Sequence, residues 1–467
     1  MGPGVVRAND ARPHYGSVAP AVVSVVRMAD ASKPAALAPL LWVTFIATLG
    51  FSLVLPFLVF LVLDFGGNAV VYGLVGATYS ATQLVGAPIL GRWSDRVGRR
   101  RILLLSQLGT LLAWLLFLLA MLLPVTPLAE LDPIWLGRFT LTMPLLLLVG
   151  ARALDGLTGG NVAVANAYVA DVTSETQRSA SFGRMAVAQN LGFVVGPALA
   201  GVLGASALGA MLPVLAAIAI STVALGLIAW RLPESRPRDF VDGPRPDCVG
   251  KVLGQEQRDC HEVQGAARLG LRAMARIPGV ALLLAAHFLI YLAFNFFYVA
   301  FPVHAAATLE WSVRDVGLFF SYLSVLMVLV QGPGLTWASR RASDRALVLV
   351  GGLLLGCSFL LFVPESAWWV VAGAALLSAG NGLMWPALLS LLSKAAGSQA
   401  QGAVQGFAGS ASAVASILGL LVGGVFYGIL GSTVFVMSAL VVAAAWGLGW
   451  LLPDAALAGD RAAAAEG

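Results

Sequence analysis

"GRWSDRVGRRR", residues 91–101, packs five arginines and one aspartate between two long apolar stretches. The chain around it is 59% hydrophobic and only 11% charged, with a mean hydropathy of +0.87. Ordinary soluble domains are roughly 45–50% apolar, so the flanking stretches read as membrane helices and the charged stretch as the loop joining two of them. Windows of about 20 apolar residues, enough to cross a bilayer, place spans near 38–63, 70–91, 102–123, 142–169, 183–206, 210–231, 278–303, 315–337, 346–363, 367–393, 403–428 and 432–452. The chain is thus expected to be an all-α, multi-pass integral membrane protein of about twelve transmembrane helices. Glycine, alanine and serine recur within these spans, as close helix packing requires.

The charged loops set the orientation. Arg92, Arg96, Arg99, Arg100, Arg101, Arg178, Arg184, Arg340, Arg341, Arg345 and Lys394 fall on one side, and the other offers only Arg138 and Arg314. The positive-inside rule makes the first side cytoplasmic, with both termini there and a bacterial inner membrane as the expected location. The net charge of +5 follows from topology and suggests no nucleic-acid partner. Residues 1–36 and 453–467 read as cytoplasmic tails, the first of them disordered. Cys248 and Cys260 with His261 lack a second ligand cluster, so no metal site is expected.

Residues 232–276 are rich in proline, glycine and charge and read as a cytoplasmic linker. It separates a six-span half at 37–231 from a second at 277–452. A shift of 223 residues lays "SFGRMAVAQNLGFVVGPALAG" (181–201) over "VQGFAGSASAVASILGLLVGG" (404–424), matching Gly183 with Gly406, Gly196 with Gly419 and Gly201 with Gly424. Two pseudo-symmetric six-helix halves are the layout of transporters whose substrate site lies between the halves near the midplane.

Within the opening stretch, Gly91 and Gly98 permit a tight turn, and Asp95 is the anionic partner available to Arg96, Arg99 and Arg100. The arginines serve either as topological anchors alone or also as members of an ion-paired latch. The order Gly91-x-x-x-Asp95-Arg96-x-Gly98-Arg99-Arg100 between spans two and three resembles the cytoplasmic loop motif of the major facilitator superfamily. That resemblance implies a gate latch, in which Asp95 meets the start of span eleven and nearby arginines while the cytoplasmic side is closed. A carboxylate at a helix N-terminus gains about 0.3–1 kcal/mol when exposed. The second half shows only a degraded counterpart, "GLTWASRRASDRALVLVG" (334–351), whose spacing differs, so the main latch is expected at Asp95.

"RALDGLTGGNVAVANAYVADVTSETQRSASFG" (152–183) resembles span four and the following loop of the drug:proton antiporter branch, which includes the tetracycline exporters. "GFVVGPALAGVLG" (192–204) is similar to that branch's span-five antiporter motif, with Gly192, Gly196, Pro197 and Gly201 in place and Ala200 where a second glycine is usual. These glycines serve close packing or the exchange motion itself. The resemblance implies a proton-coupled antiporter, driven by the proton gradient without a cofactor and exporting small organic molecules as a monomer. Aligned with the tetracycline exporters, the chain has Ala47 and Ala113 where they carry acids, which points to a bulkier, lipophilic substrate.

An ionisable residue inside the bilayer costs about 2.5–3.5 kcal/mol and is a functional candidate by default. Arg152 and Asp155 lie three residues apart near the middle of span four, facing one side of the helix. They form either the proton-coupling pair or a permanent ion pair that pins span four. His287 is a second proton-carrier candidate or an interfacial histidine. Tyr79, Gln83, Asn161, Asn190, Tyr291, Asn295, Phe296, Tyr298, Gln331 and Asn381 are candidate substrate-lining residues, which in spans also commonly pack helices. A facilitator or importer of a polar metabolite and a non-transporting sensor are the alternatives. No nucleotide loop, metal cluster or nucleophile with its base appears, so an enzyme is not expected.

Overall fold

The computed structural model describes residues 33–452 apart from 55–56, 135, 160, 174, 236–248, 253–254 and 259–276. Cys248, Cys260, His261 and the greater part of both tails lie outside the described residues, as do the side chains of Asn161 and Asn190. Among the described residues the helices make twelve passes. Span one is Lys33–Leu53 with Leu58–Asp64, span two Ala69–Val97, span three Arg99–Leu122, span four Met143–Thr158 with Asn161–Val172, span five Glu175–Gly204 and span six Met211–Arg231. Span seven is Val280–Ala307, and span eight runs from Val313 through a π-helical turn at Val330–Gly334 to Ser339. Span nine is Asp344–Leu360, spans ten and eleven lie within Ala367–Leu430, and span twelve is Val434–Trp450.

Seven stretches of described residues are long and apolar enough to cross a membrane, and one of them, Gly406–Trp450, contains two passes joined by a 3₁₀ turn. Spans one, two, four and nine fall outside that set. Span four, expected to be continuous over 142–169, is instead two helices meeting at Gly159. The loop motif also differs from the expected turn: helix continues through Gly91 and Asp95 to Val97, and the chain turns at Gly98 alone, where φ is +107°. Two short hairpins appear where no strand was expected. One, Pro127–Leu131 with Phe139–Thr142, joins spans three and four; the other, Val249–Val252 with Gln255–Arg258, lies in the linker.

Residues Ala367–Leu430 are helical throughout, yet they cannot be straight. At 1.5 Å per residue a straight helix would hold Trp385 and Ser412 about 40 Å apart. Both meet His287, the Trp385 ring at 5.1 Å between centroids and the Ser412 hydroxyl at 2.7 Å from Nε2. The chain therefore reverses between them, and span eleven runs parallel to span seven.

The repeat is visible in how glycines seat these pairs. Gly196 in span five abuts Leu49 and Ser52 of span one, and Gly419 in span eleven abuts Leu292 and Asn295 of span seven. Each crossing carries a polar tie beside its glycine, Ser52 donating to the Gly192 carbonyl at 2.9 Å and Asn295 to the Ser416 hydroxyl at 3.3 Å. Gly201 lies on the backbone of Gly317 in span eight, and Gly424 on Ala69, Val70 and Gly73 in span two. These last two crossings join the halves. Both lie at the end bearing the 127–142 hairpin, where Asn68 caps span two by accepting from the amides of Val70 and Val71 and also donates to the Leu136 carbonyl. At the opposite, basic end an added Cβ at Gly406 or Gly409 would meet nothing within 4 Å. The halves touch at the hairpin end; at the basic end the Gly406 and Gly409 face of span eleven is open among the described residues, while Val404 and Ala408 beside it are buried. The second half packs around Phe297, Phe301, Phe359, Phe362 and Phe435, all fully buried.

Candidate functional site

Spans two, three and four bring one buried polar group together. Arg152 and Asp155, 3% and 7% exposed, face each other with Nη1 and Oδ2 3.4 Å apart. Thr110 of span three donates to the other Asp155 oxygen at 2.9 Å. The Arg152 guanidinium lies 4.5 Å from the centre of the Tyr79 ring in span two, a cation–π contact that offsets part of its desolvation. Gln83, one turn beyond, donates to the Tyr79 hydroxyl at 3.0 Å and to the Gly159 carbonyl at 3.1 Å. The spans approach this closely because Gly156 rests on the Tyr79 carbonyl and Thr82, and Gly86 on the Leu157 carbonyl, leaving no room for a Cβ.

Tyr79 and Gln83, two of the expected lining residues, thus belong to the same group as Arg152 and Asp155. Thr110 escaped the sequence reading, because a threonine in a span more often bonds its own helix; only its place one turn beyond Ser106, on the face meeting span four, distinguishes it. Chemically, Asp155 is a carboxylate with two protein donors in a site of low dielectric, where an ionised acid is costly unless paired. A proton on Asp155 would release Arg152 from the pair while leaving the guanidinium on the Tyr79 face.

In the second half, Tyr298 stacks on Phe294 and meets the Phe320 ring edge-on. The Gln331 and Asn381 amides converge on the Met327 sulfur at 3.8 and 3.9 Å. Gln331 lies in the π turn with Pro333, whose missing N–H relaxes the helix there. Asn295 donates to the Tyr291 carbonyl at 2.8 Å, and Phe296 is buried against Phe426 and Gly423, so both are packing residues here. His287 is not an interfacial histidine. It is 2% exposed, bonded to Ser412, and flanked by the Tyr291 and Trp385 rings.

At the basic end Arg99 is the hub. Its buried guanidinium reaches Asp95 at 2.7 Å, Asp171 at 2.9 Å and the Ser94 hydroxyl at 2.6 Å, tying the ends of spans two and four to the start of span three. Arg100 donates to the Ile228 and Ala229 carbonyls and so caps the end of span six. Glu234, read as mere linker, accepts from the Arg99 amide at 2.7 Å and the Arg100 amide at 3.3 Å. Arginines at a helix N-terminus oppose the helix dipole, and the Glu234 carboxylate restores the favourable sign. Asp95 itself is about half exposed on its side chain, at 51%. Arg96 is exposed beside it. Gly192 and Gly196 seat span five on span one, Pro197 is accommodated within an unbroken helix, and Gly201 makes the crossing to span eight.

Comparison with known proteins agrees with this architecture. The family model described as Major Facilitator Superfamily matches residues 40–286 and 283–466. The chain is 28% identical over 383 residues to the tetracycline resistance protein, class E, of Escherichia coli, covering 81% of this chain and 85% of that protein. It is 27% identical over 393 residues to the class D protein of Salmonella ordonez, covering 84% and 88%. In fold it resembles the crystal structure of the human organic anion transporter MFSD10 (TETRAN), with a TM-score of 0.59 and 22% identity, over 89% of this chain and 99% of that one. The chain belongs to the major facilitator superfamily, as a membrane-spanning transporter related to the tetracycline resistance proteins and not an enzyme.

Proposed function

We propose that this protein is a proton-coupled antiporter that exports small, lipophilic organic molecules by alternating access, with its basic end in the cytoplasm of a bacterial inner membrane. In this reading the protein works as a monomer and needs no cofactor beyond the proton gradient. The buried Arg152–Asp155 pair carries the proposal. Substrate and proton compete for one carboxylate, so the site cannot keep both, and that exclusion is what exchange requires. The two relatives compared above are tetracycline resistance proteins, but alanines at positions 47 and 113 and the aromatic neighbourhood of Arg152 favour a less polar cargo than a metal-chelated one.

The test is proton movement in proteoliposomes under an imposed pH gradient, scanning lipophilic cationic, neutral and anionic compounds. Antiport predicts that at least one compound collapses the gradient in protein-containing vesicles only. Substrate uptake that proceeds identically with and without a gradient would instead favour a facilitator.

A second prediction concerns the gate. Asp95→Asn keeps the side chain's size but removes the charge that meets Arg99, so insertion and melting temperature should stay near the parent while transport falls severalfold. Parent-level turnover in that variant would reduce the loop to a topological anchor.

A further inference from the structure

We infer that Asp344 and Lys394 are the positioning residues of a second charged brace, one that sets where span eleven begins. The inference rests on the reading of the basic end as the moving gate. In the first half, Arg99 opens span three and pairs with Asp171 near the end of span four. In the second half, Asp344 opens span nine, and its carboxylate lies 2.8 Å from Lys394 Nζ at the end of span ten while accepting from the Ser390 hydroxyl at 2.5 Å. The shift of 223 residues that matches Gly196 with Gly419 also matches Asp171 with Lys394. Arg99 and Asp344 are each the first residue of their helices, so the two braces join equivalent spans with reversed polarity, although the shift itself matches only the Asp171 and Lys394 members. Compared only along the loop, 334–351 looks like a worn copy of 91–101 because its spacing differs, yet it too pairs with a residue of the next span, Lys394, fifty residues downstream.

Polarity explains why the two braces are built differently. Arg99 and Arg100 place positive charge against the positive end of span three and need Glu234 from beyond span six. Asp344 places negative charge at the same end of span nine, where the dipole favours it, and Ser343 caps that helix by accepting from the Ala346 amide at 3.3 Å. The described contacts of the second brace come from spans nine and ten and the turn before span nine. Its position gives it leverage: Lys394 immediately precedes the stretch in which the chain reverses into span eleven. Fixing Lys394 against span nine fixes the end of that reversal, and with it the surface around Gly406 that faces open space at the basic end.

The experiment uses the full chain with its three cysteines, Cys248, Cys260 and Cys357, changed to serine, and Gly406→Cys as reporter. Labelling by a membrane-impermeant maleimide is followed in inside-out vesicles. Asp344→Arg and Lys394→Asp should each change the labelling rate severalfold. The double variant Asp344→Arg/Lys394→Asp, which copies the polarity of Arg99 and Asp171, should return it to the parent rate. Lys394→Gln removes the charge without reversing it and serves if a reversed variant fails to insert. Single variants that label like the parent, or a well-inserted double no better than either single, would overturn the brace. Asp95→Asn is run alongside. If it moves the rate and the Lys394 variants do not, the brace fails and the gate reading stands; if neither moves it, both fail.

Discussion

Asp155→Asn is expected to abolish proton-driven accumulation while leaving substrate binding measurable. Asparagine preserves the volume of the side chain and can still accept from Thr110, so the local packing of spans three and four survives. What disappears is the one group in the cluster able to exchange a proton for a guanidinium. The variant also removes the carboxylate that faces the buried Arg152 guanidinium. Breaking a buried ion pair on one side typically costs about 3–5 kcal/mol, whereas replacing both partners is often close to neutral. Asp155→Asn should therefore melt well below the parent in detergent, and Asp155→Asn/Arg152→Gln should recover much of that loss without recovering driven transport. A single variant that accumulates substrate normally under a pH gradient would remove Asp155 from the coupling step. A double that melts below the single would show that Arg152 draws its stability from Tyr79 rather than from Asp155.

The second large effect is expected at the hairpin end. A Cβ on Gly317 would run into the backbone of Gly201, and one on Gly73 into the Leu420 carbonyl. Backbone has no rotamer by which to yield, so Gly317→Val or Gly73→Val should hold the halves apart there while each half keeps its own core. Ser321, whose hydroxyl donates to the Ala198 carbonyl across the interface at 3.4 Å, is a suitable reporter. In a cysteine-free background Ser321→Cys should label severalfold faster from the hairpin side in either valine variant, and transport should be nearly lost. Gly150→Val, at a span-four glycine with nothing within 4 Å of an added Cβ, should do neither. Valine variants that label and transport like the parent would show that this crossing opens and closes without backbone contact.

Much of the fold was legible because apolar length is a strong signal. The number of passes, the six-plus-six division and the 223-residue repeat follow from composition and glycine spacing, and the crossings at Gly196 and Gly419 show why those glycines recur. What stayed hidden depended on contacts between distant segments. Helix boundaries at Gly91 and Asp95 were misplaced because arginine and aspartate look like loop residues, although their flanks continue the helix of span two. The break at Gly159 was invisible because hydropathy carries on across it. At the site, Arg152 and Asp155 stood out as rare charges, but Thr110 and Glu234 are ordinary residues until their partners are known. The Asn295 amide, expected among the lining residues, also ties span seven to span eleven through Ser416, a role that composition does not reveal.

The buried charge pair also bears on how the chain is made. Span four begins as a helix of only 16 residues carrying an arginine and an aspartate, and charges at mid-span cost about 2.5–3.5 kcal/mol apiece during insertion. Alone it is a poor candidate for release into lipid. The groups that receive its charges, Tyr79 and Thr110, lie in spans two and three, which are synthesised first. Order of synthesis thus supplies the solvent: by the time Arg152 emerges, a partner surface is already in the bilayer. The residues proposed to exchange a proton in the finished protein would leave a ribosome-bound fragment starting at span four stranded outside the membrane.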